Sequence, residues 1–329
     1  MDSRGFLHRR RPVSALIDGG FAQAVSSSGG FLRITFDRWR TFKAVTNMGS
    51  IFFSWVGISQ SNPLVQTVGI TGNNQAANYL RTTTDGWNTF TQRTNLGGRN
   101  WQNIIIDPSN PLIQTALAGG NSAGNRYIHK TTDGWNTFSQ VTNIGDFNWQ
   151  KLAMAWYDSP IQTLIPYGTL ENKTIHTTTN GWSTFTQRTN VGIRSWQDIA
   201  ISATNPLIQT AVTNQYIYTT TDGWATFTER TYIGIKSWNS LVISSLNPLV
   251  QFAANTDGIY ATTDGWATFT IKSNLPVGGW SMLKASAINP LVQSAFGPDG
   301  YIHTTTNGWN SSVARTNVGT VGGRMVIGD

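Results

Sequence analysis

Short runs of apolar and β-branched residues, each of strand length, alternate with turn residues along most of the chain. Residues 100–145 show the pattern most clearly and contain four such runs, QNIIID, LIQTALA, YIHKTT and TFSQVT. The runs are separated by Asp-Pro-Ser-Asn-Pro, by a Gly/Asn-rich stretch and by Asp-Gly, which are turn signals. Thr, Ile, Tyr, Phe and Trp dominate, as is typical of strands, and no segment has a sustained helical period. The pattern predicts four antiparallel strands in this unit.

A nine-residue motif, TTTDGWNTF at residues 82–90, shows that the unit repeats. The motif returns six more times, and successive copies are 48, 48, 47, 42, 42 and 43 residues apart. Its Asp or Asn stands at Asp37, Asp85, Asp133, Asn180, Asp222, Asp264 and Asn307. A repeat of about 40 to 50 residues with four strands is typical of a β-propeller blade. We therefore predict an all-β fold, a seven-bladed β-propeller of four-stranded antiparallel blades, with strands A to D from the axis outwards.

Two further landmarks keep the same register in six of the repeats. An aromatic residue opens strand A at Phe53, Trp101, Trp149, Trp196, Trp238 and Trp280. A Gln follows thirteen residues later, at Gln66, Gln114, Gln162, Gln209, Gln251 and Gln293. The constant spacing indicates six complete blades, which we number 1 to 6.

The two ends of the chain predict a seventh, composite blade. Residues 19–47 align with strands B, C and D, with Gln23 at the Gln position, but no clear strand A precedes them. Residues 321–329 follow the last strand D and look like the missing strand A. Pairing of the two segments would close the ring and protect strand edges that otherwise invite aggregation. We therefore expect a basic N-terminal arm at 1–18 and a single propeller domain at 19–329.

Blades 1 to 3 are longer than blades 4 to 6 between strands B and C. The extra residues lie at 70–79, 117–126 and 165–173. They fall on three consecutive blades and in the same kind of loop, so we expect one raised lobe on one face. Long loops on a rigid scaffold are where function usually sits.

Composition narrows the classes of function. The 329 residues include no Cys, which excludes disulfides, Cys-based metal sites and a Cys nucleophile. No apolar run approaches the ~18 residues of a membrane span, and the start of the chain does not look like a secretory signal. The formal net charge is +7, but only the arginines at 4–11 are clustered. A nucleic-acid binder needs a clustered basic face, so we do not expect nucleic acid as a partner.

The repeated TTDGWNTF resembles the Asp-box of sialidases and related propellers, whose pattern is Ser/Thr-x-Asp-x-Gly-x-Thr-Trp/Phe. The Ser/Thr, Asp, Thr and aromatic positions match in four copies, and the resemblance extends over all seven blades. At the Gly position of the family the chain instead has Trp87, Trp135, Trp182, Trp224, Trp266 and Trp309. The resemblance implies a structural hairpin between strands C and D, away from any active site. An Asp that caps its own turn and an Asp-Gly pair that supplies positive φ agree with that role.

The resemblance does not extend to sialidase chemistry. Those enzymes need an Arg triad, a Tyr nucleophile with a carboxylate partner and an acid Asp, and the chain has no Arg-Ile-Pro-like opening. A glycosidase needs two carboxylates across one site, but among the 16 acidic residues no pair repeats or converges by spacing. The chain has four histidines, His8, His129, His176 and His303. The last three stand at equivalent strand C positions on different blades, and we expect them to be structural or exposed. We therefore predict a protein that is not an enzyme and uses no cofactor or metal.

The connection from strand D to the next strand A carries the candidate binding residues. It reads GGRNWQ, GDFNWQ, GIRSWQ, GIKSWN and VGGWS in successive repeats. An aromatic plate with amide and cationic donors suits a sugar. The candidate ligand-binding residues are Arg99, Trp101, Gln102, Trp149, Gln150, Arg194, Trp196, Gln197, Lys236, Trp238 and Trp280. The alternative is that these Trp residues only fill the spaces between blades.

Two functions follow from these features. The first is a lectin-like binding propeller with multivalent recognition of cell-surface carbohydrate, which would face a cell surface or belong to a virion. The second is a component of a larger assembly, such as a virion or tail-associated protein or an assembly factor. In that case docking would use the arm at 1–18 and the loop lobe. The sequence does not predict a compartment.

Overall fold

The computed structural model describes residues 22–26, 31–49, 51, 53–70, 78–119, 126–155, 160–166, 174–286 and 289–316 of the chain. Their strands form seven antiparallel sheets, one of three strands and six of four. Within the described residues, helical structure is limited to short 3-10 turns such as Thr94–Leu96, Thr189–Val191 and Thr231–Ile233. No helix in the described ranges is long and apolar enough to cross a membrane.

The strand order along the chain is the same in every complete sheet. The N-terminal blade contains β1 (Gln23–Ser26), β2 (Leu32–Thr35) and β3 (Lys43–Val45). Blade 1 contains β4 (Phe53–Ile58), β5 (Gln66–Ile70), β6 (Leu80–Thr83) and β7 (Thr91–Arg93). Blade 2 contains β8 (Asn100–Ile106), β9 (Gln114–Gly119), β10 (Ile128–Thr131) and β11 (Ser139–Val141). Blade 3 contains β12 (Trp149–Met154), β13 (Gln162–Pro166), β14 (Ile175–Thr178) and β15 (Thr186–Arg188). Blade 4 contains β16 (Trp196–Ile201), β17 (Gln209–Thr213), β18 (Ile217–Thr220) and β19 (Thr228–Glu229). Blade 5 contains β20 (Trp238–Ile243), β21 (Gln251–Asn255), β22 (Ile259–Thr262) and β23 (Thr270–Ile271). Blade 6 contains β24 (Ser281–Ala285), β25 (Gln293–Phe296), β26 (Ile302–Thr305) and β27 (Val313–Ala314).

The sheets stand side by side around a ring. Strand A of each complete blade contacts strand A of the next, from β4 through β8, β12, β16 and β20 to β24. The ring returns to its start where Ser294 Oγ of blade 6 donates a 2.9 Å hydrogen bond to Gln23 Oε1 of the N-terminal blade. The predicted all-β, seven-bladed propeller is confirmed.

Closure of the N-terminal blade by a C-terminal strand lies beyond what the structure describes. Residues 321–329 and the arm at 1–18 fall outside the described residues, as does most of the loop lobe. The strand pairing, the domain boundaries and the lobe therefore stay predictions. The roots of the long loops do lie beside the D-to-A connections, because Arg126 forms a 2.9 Å ion pair with Asp146. Arg99 N likewise donates to Asn78 O.

The spacing between the strand A aromatic residue and the Gln of strand B is the same in six blades. The hydrogen bonds of Gln114 illustrate the structural reason. Its Oε1 accepts a 2.6 Å hydrogen bond from Trp135 Nε1 of the same blade and a 2.7 Å bond from Thr67 Oγ1 of the preceding blade. Its Nε2 donates to Pro111 O of the A–B turn. The Trp–Gln bond occurs in all seven blades, as Trp39–Gln23, Trp87–Gln66, Trp135–Gln114, Trp182–Gln162, Trp224–Gln209, Trp266–Gln251 and Trp309–Gln293.

The turn between strands C and D is organised around its Asp, as blade 1 shows. Asp85 Oδ1 accepts hydrogen bonds from Thr83 Oγ1 and Thr89 N, and Asp85 Oδ2 accepts one from Thr89 Oγ1. Thr83 Oγ1 in turn accepts from Trp87 N. The Thr89 backbone N–H is the largest of the effects that together lower the pKa of Asp85 to about 2. This bonding favours a structural role for the motif.

The Trp of the same turn has an unusual backbone. Gly86 and Trp87 both have a φ of 65°. The left-handed region is uncommon for a bulky residue, yet all seven turn Trp residues adopt it, with φ between 65° and 73°. Each side chain is at most 1% exposed and is bonded to the blade's Gln. Packing and that hydrogen bond therefore hold Trp in a backbone conformation that favours Gly.

Candidate functional site

The five strand A Trp residues predicted to bind ligand are buried between blades. Trp101, Trp149, Trp196, Trp238 and Trp280 are at most 2% exposed. Each packs edge-on against a strand C ring, at centroid distances of 4.9 to 5.4 Å. Those partner rings are His129, His176, Tyr218, Tyr260 and His303. In this conformation no indole face is open for a sugar to stack on. The burial therefore favours the packing alternative over the predicted ligand-binding role.

The predicted basic residues contact their own blades instead of converging on one site. Arg194 lies 4.5 Å from the Tyr218 ring centroid and 3.4 Å from a Glu229 oxygen. Lys236 forms a 2.7 Å ion pair with Asp257, and Arg99 Nε donates to the carbonyl of Leu96.

The polar neighbours of the Trp residues are half-buried. Gln102, Gln150 and Gln197 have intermediate exposure, each on a different blade. Burial is the largest effect lowering the pKa of His129 and His176 to about 4, and Arg99 adds to it at His129. Both histidines are thus neutral at pH 7, with a packing role.

A better-formed site lies in the central channel, where the inner strands of blades 1 to 6 enclose a cavity of about 170 Å³. Side chains two and four positions after the strand A aromatic line it in two layers. The first layer includes Trp55, Asn103, Lys151 and Asp198. The second consists of Gly57, Ile105, Ala153, Ala200, Val242 and Lys284. The first layer is therefore largely polar, whereas the second layer is apolar except for Lys284.

First-layer side chains form bridges from one blade to the next. Trp55 Nε1 donates to Ile104 O across 3.1 Å. Lys151 Nζ lies 2.7 Å from Asp198 Oδ1. Asp198 Oδ2 accepts a 3.0 Å bond from Leu241 N, so this carboxylate joins three successive blades. Ion pairing and backbone donors together compensate the burial of the Asp198 charge.

Asn103 is the exception among these bridges. In blade 5 the equivalent Ser240 bridges to Leu283 N through its Oγ. Asn103 is 1% exposed, yet neither its Nδ2 nor its Oδ1 has a hydrogen-bond partner. A buried polar group without a partner costs stability and calls for an explanation. The link between blades 2 and 3 is therefore open, and it faces the channel.

Two lysines lie against one indole ring beside this open link. Lys151 Nζ is 5.1 Å and Lys284 Nζ 5.8 Å from the centroid of the Trp55 ring. Asp198 is the one carboxylate in the described lining of the cavity.

Sequence reasoning missed this site because it concentrated on positions that the repeats share. The signal that could have found the site is the position two residues after the strand A aromatic. This position lines the channel in several blades, but its side-chain type differs from blade to blade. Its occupants in blades 1 to 6 are Trp55, Asn103, Lys151, Asp198, Ser240 and Met282. The cavity does not contain two facing carboxylates among its described residues, and no cluster of three or more candidate metal ligands occurs within the described ranges.

Comparison with known proteins adds the fold but not a family. No protein-family model matches the chain, and no curated protein sequence matches it. Among solved structures, YCF48 bound to D1 peptide is similar, with a TM-score of 0.63 and 11% identity over 89% of each chain. An ancestral GH74 enzyme has a TM-score of 0.65 and 13% identity over 89% of this chain and 43% of its own. The GH74 xyloglucanase from Xanthomonas campestris has a TM-score of 0.55 and 10% identity over 91% and 60%.

These similarities lie at 10 to 13% identity and therefore concern the propeller fold alone. The chain spans 43% and 60% of the lengths of the two GH74 enzymes. Propellers of this shape include both an enzyme group and a protein seen with a bound peptide.

Proposed function

We propose that the protein is a non-catalytic binding propeller that takes its ligand in the central channel. The observation that carries the proposal is Asn103, a buried amide with neither atom paired. It lines the same cavity as Lys151 and Lys284. A group left unpaired at a cost to the fold is explained if a ligand pairs with it.

The state of the channel carboxylate supports binding over catalysis. Asp198 is engaged by Lys151 Nζ and by the backbone N–H groups of Ile199 and Leu241. A carboxylate held by three donors is poorly placed to act as a general acid or base, which must exchange a proton with substrate. The group is instead suited to hold the channel wall in shape.

Carbohydrate remains the ligand class that we propose to test first. Amide and ammonium groups pair with sugar hydroxyls, and Asn103 and the two lysines supply such groups in the channel. The site differs from the one expected from sequence, because the strand A indoles are buried. A lectin-like role would therefore place a terminal sugar in the channel.

A glycan array with labelled full-length protein tests the proposal, using Asn103→Leu and Gln197→Ala as matched variants. We expect a signal that free sugar competes away, that Asn103→Leu abolishes and that Gln197→Ala retains. Loss of signal in Gln197→Ala alone would place the ligand at the strand A connections instead. A blank array would reject carbohydrate as the ligand class.

A second candidate function is docking within a larger assembly. Ile193 and Ile235 are each 67% exposed and Val277 is 93% exposed. All three lie three residues before the strand A Trp on consecutive blades 4 to 6, and exposed apolar patches often mark protein-binding surfaces. The peptide in the YCF48 structure gives this candidate a structural precedent.

Cross-linking in the native source tests docking, with the wild type compared with a variant that has Ser at all three positions. A partner cross-link at blades 4 to 6 that disappears in the variant supports assembly. Cross-links that are unchanged, or that map only to residues 1–18, exclude this surface.

A further inference from the structure

A second cavity lies between strands B to D of blade 5 and the turns of blade 6, and it shares no lining residue with the channel of the proposed function. We infer that this groove binds a small monocarboxylate with an apolar body, whose carboxylate pairs with Lys272 and Asn310. The groove has a volume of about 270 Å³. Its apolar lining comes from Val250, Phe252, Ala261, Phe269 and Leu291.

At other blade boundaries a basic residue of strand D is held by partners on both sides, as Arg93 shows. Its Nε donates to Thr82 Oγ1 of the same blade, and its NH1 donates to Asn136 Oδ1 of the next blade. Burial lowers the pKa of Arg93, and the Asp133 carboxylate of the next blade acts against that lowering. The Arg–Thr bond recurs in blades 3, 4 and 6, as Arg188–Thr177, Arg230–Thr219 and Arg315–Thr304.

The boundary between blades 5 and 6 has a different set of residues at these positions. Lys272 stands where four other blades have Arg, and Ala261 stands at the Thr position. The hydroxyl that holds Arg in those blades is therefore absent. Asn307 replaces the Asp of the next C–D turn, so the turn that faces Lys272 carries no charge.

Lys272 consequently has a neutral partner where its counterparts face a carboxylate. Its Nζ donates a 3.1 Å hydrogen bond to Asn310 Oδ1, and it forms no ion pair with any carboxylate in the described part of the chain. The side chain is partly buried, and burial lowers its pKa. An anion would offset that effect, because hydrogen bonds between charged groups are stronger than neutral ones.

The contact between Lys272 and Asn310 places two kinds of donor at one point of the groove. The ammonium has three N–H donors, and the Asn310 amide adds two at Nδ2. Because the same amide lies 3.1 Å from Lys272 Nζ, the two oxygens of one carboxylate can accept from both residues. A single ammonium group balances a single negative charge, which favours a monocarboxylate.

The wall beyond these donors is apolar because blade 5 also departs from the repeat in strand B. Phe252 stands where other blades have a Thr that bonds to the Gln of the next blade, namely Thr67, Thr163 and Thr210. A Cβ placed on Gly308 would lie 3.4 Å from Phe252 Cζ, so the ring packs against the C–D turn of blade 6. The body of a ligand in this groove would therefore contact phenyl and aliphatic groups.

The size of the groove limits the length of that body. An apolar protein cavity of about 150 Å³ holds benzene, so about 270 Å³ has room for a chain of about eight carbons. Leu291 is 46% exposed, and the groove is thus open to solvent along one side. A straight-chain acid and an aryl-alkyl acid both have this chemistry.

Isothermal titration calorimetry on the full chain at pH 7 tests the inference with octanoate, octanamide, acetate and 3-phenylpropanoate. We expect octanoate to bind about 5- to 50-fold more tightly than octanamide, which lacks the charge. It should bind about 100-fold more tightly than acetate, which lacks the apolar body. Binding of octanoate but not 3-phenylpropanoate supports an alkyl ligand, and the reverse supports an aryl one.

Lys272→Met and Arg93→Met are matched variants, because the two residues occupy the same position in blades 5 and 1. Lys272→Met should remove the preference for octanoate over octanamide, and Arg93→Met should keep it. Circular dichroism melting confirms that each variant is folded.

Asn307→Asp is a second variant that restores the repeat, because five other C–D turns have Asp at this position. It supplies Lys272 with an internal carboxylate and should weaken octanoate binding about 5- to 20-fold. Asn180→Asp is its control, since strand D of blade 2 has Val141 at the position of Lys272. This control should leave octanoate binding unchanged.

Equal affinity for octanoate and octanamide would overturn the inference, as would a preference for the acid that survives in Lys272→Met. Failure of both acids to bind the folded wild type would also exclude it. Octanoate binding that is lost in Asn103→Leu and kept in Lys272→Met would place the acid in the channel. In that case the groove inference fails while the channel-binding proposal stands.

Discussion

Ser294 Oγ donates a 2.9 Å hydrogen bond to Gln23 Oε1, although the two residues are 271 positions apart in sequence. The bond repeats the Thr-to-Gln contact seen between interior blades, for example from Thr210 to Gln251 at 2.7 Å. The last and first blades therefore meet through the same contact that joins neighbours elsewhere in the ring.

Removal of this closing contact should cost as much as removal of an interior one. Ser294→Ala is expected to lower the free energy of unfolding by about 1 kcal/mol, the usual net value of such a bond, and Thr210→Ala should cost a similar amount. Gln23→Leu should cost more, about 1–3 kcal/mol, because it also leaves Trp39 Nε1 buried without its acceptor. Urea unfolding measures all three. A neutral Ser294→Ala beside a costly Thr210→Ala would show that the ring is not closed through Gln23.

The strand A Trp residues should behave as core residues. Trp196→Ala is expected to cost about 3–5 kcal/mol, because a fully packed aromatic is replaced by a cavity. The control is Ile193→Ala, three residues earlier and 67% exposed, which should change stability by no more than about 0.5 kcal/mol. Chemical denaturation gives both values. A cost below about 1 kcal/mol for Trp196→Ala, together with loss of ligand binding, would restore the ligand-binding role predicted from sequence.

The N-terminal blade contains a strained position that a single substitution can relieve. Arg38 has a φ of 62° where the complete blades have Gly. A left-handed non-glycine residue costs about 1–2 kcal/mol, partly offset by the greater unfolded-state entropy of Gly. Arg38→Gly is therefore expected to raise the free energy of unfolding by about 0.5–1 kcal/mol.

Arg38→Ala is the matched control for this gain. It removes the long side chain but keeps the strained Cβ, so it should not stabilise the protein. If Arg38→Ala stabilises as much as Arg38→Gly, the side chain and not the backbone is responsible.

Stability should fall in acid because of the C–D turns. Hydrogen bonds from Thr89 and Thr268 lower the pKa of Asp85 and Asp264 from 3.8 to about 2. A carboxyl whose pKa is lower in the folded state stabilises the fold above the unfolded value and loses that contribution as pH falls through the folded value. Unfolding free energy should therefore be insensitive to these groups above about pH 5 and decrease from about pH 4 to pH 2.

Replacement of the titrating group tests the assignment. Asn occupies the same position in two native turns, at Asn180 and Asn307, so Asp85→Asn is structurally tolerable. Urea unfolding between pH 2 and pH 7 should show a shallower acid decrease for Asp85→Asn and for Asp264→Asn than for the wild type. Identical pH profiles for the variants and the wild type would show that the C–D turns do not cause the loss of stability in acid.

The fold was predictable from sequence because every repeat obeys the same local rules. The spacing between Trp101 and Gln114 indicates strands A and B with the turn between them. The Asp-Gly pair indicates the hairpin between strands C and D. These signals depend on neighbours close in the chain. Packing also explains why a Trp is tolerated at a left-handed position of this turn, since its indole is held by the blade's Gln.

The channel site was not predictable in the same way. Lys151 meets Asp198, and Trp55 meets Lys284, only because the ring brings distant strands together. The role of Trp196 was also ambiguous, because exposure depends on what the neighbouring blade places over the ring. A repeat pattern indicates which side chains point into the central channel. It does not indicate which of them form hydrogen bonds or ion pairs there.

The most direct test of the account is a paired measurement of stability and binding on Asn103→Leu, with Ser240→Ala as the matched control. Asn103→Leu removes two unpartnered buried atoms, so it should raise the free energy of unfolding by about 1–3 kcal/mol. The same variant should abolish the array signal of the wild type. Ser240→Ala removes the acceptor of Leu283 N and should destabilise the protein while keeping the signal. Unchanged binding by a folded Asn103→Leu would contradict the claim that the channel is the binding site.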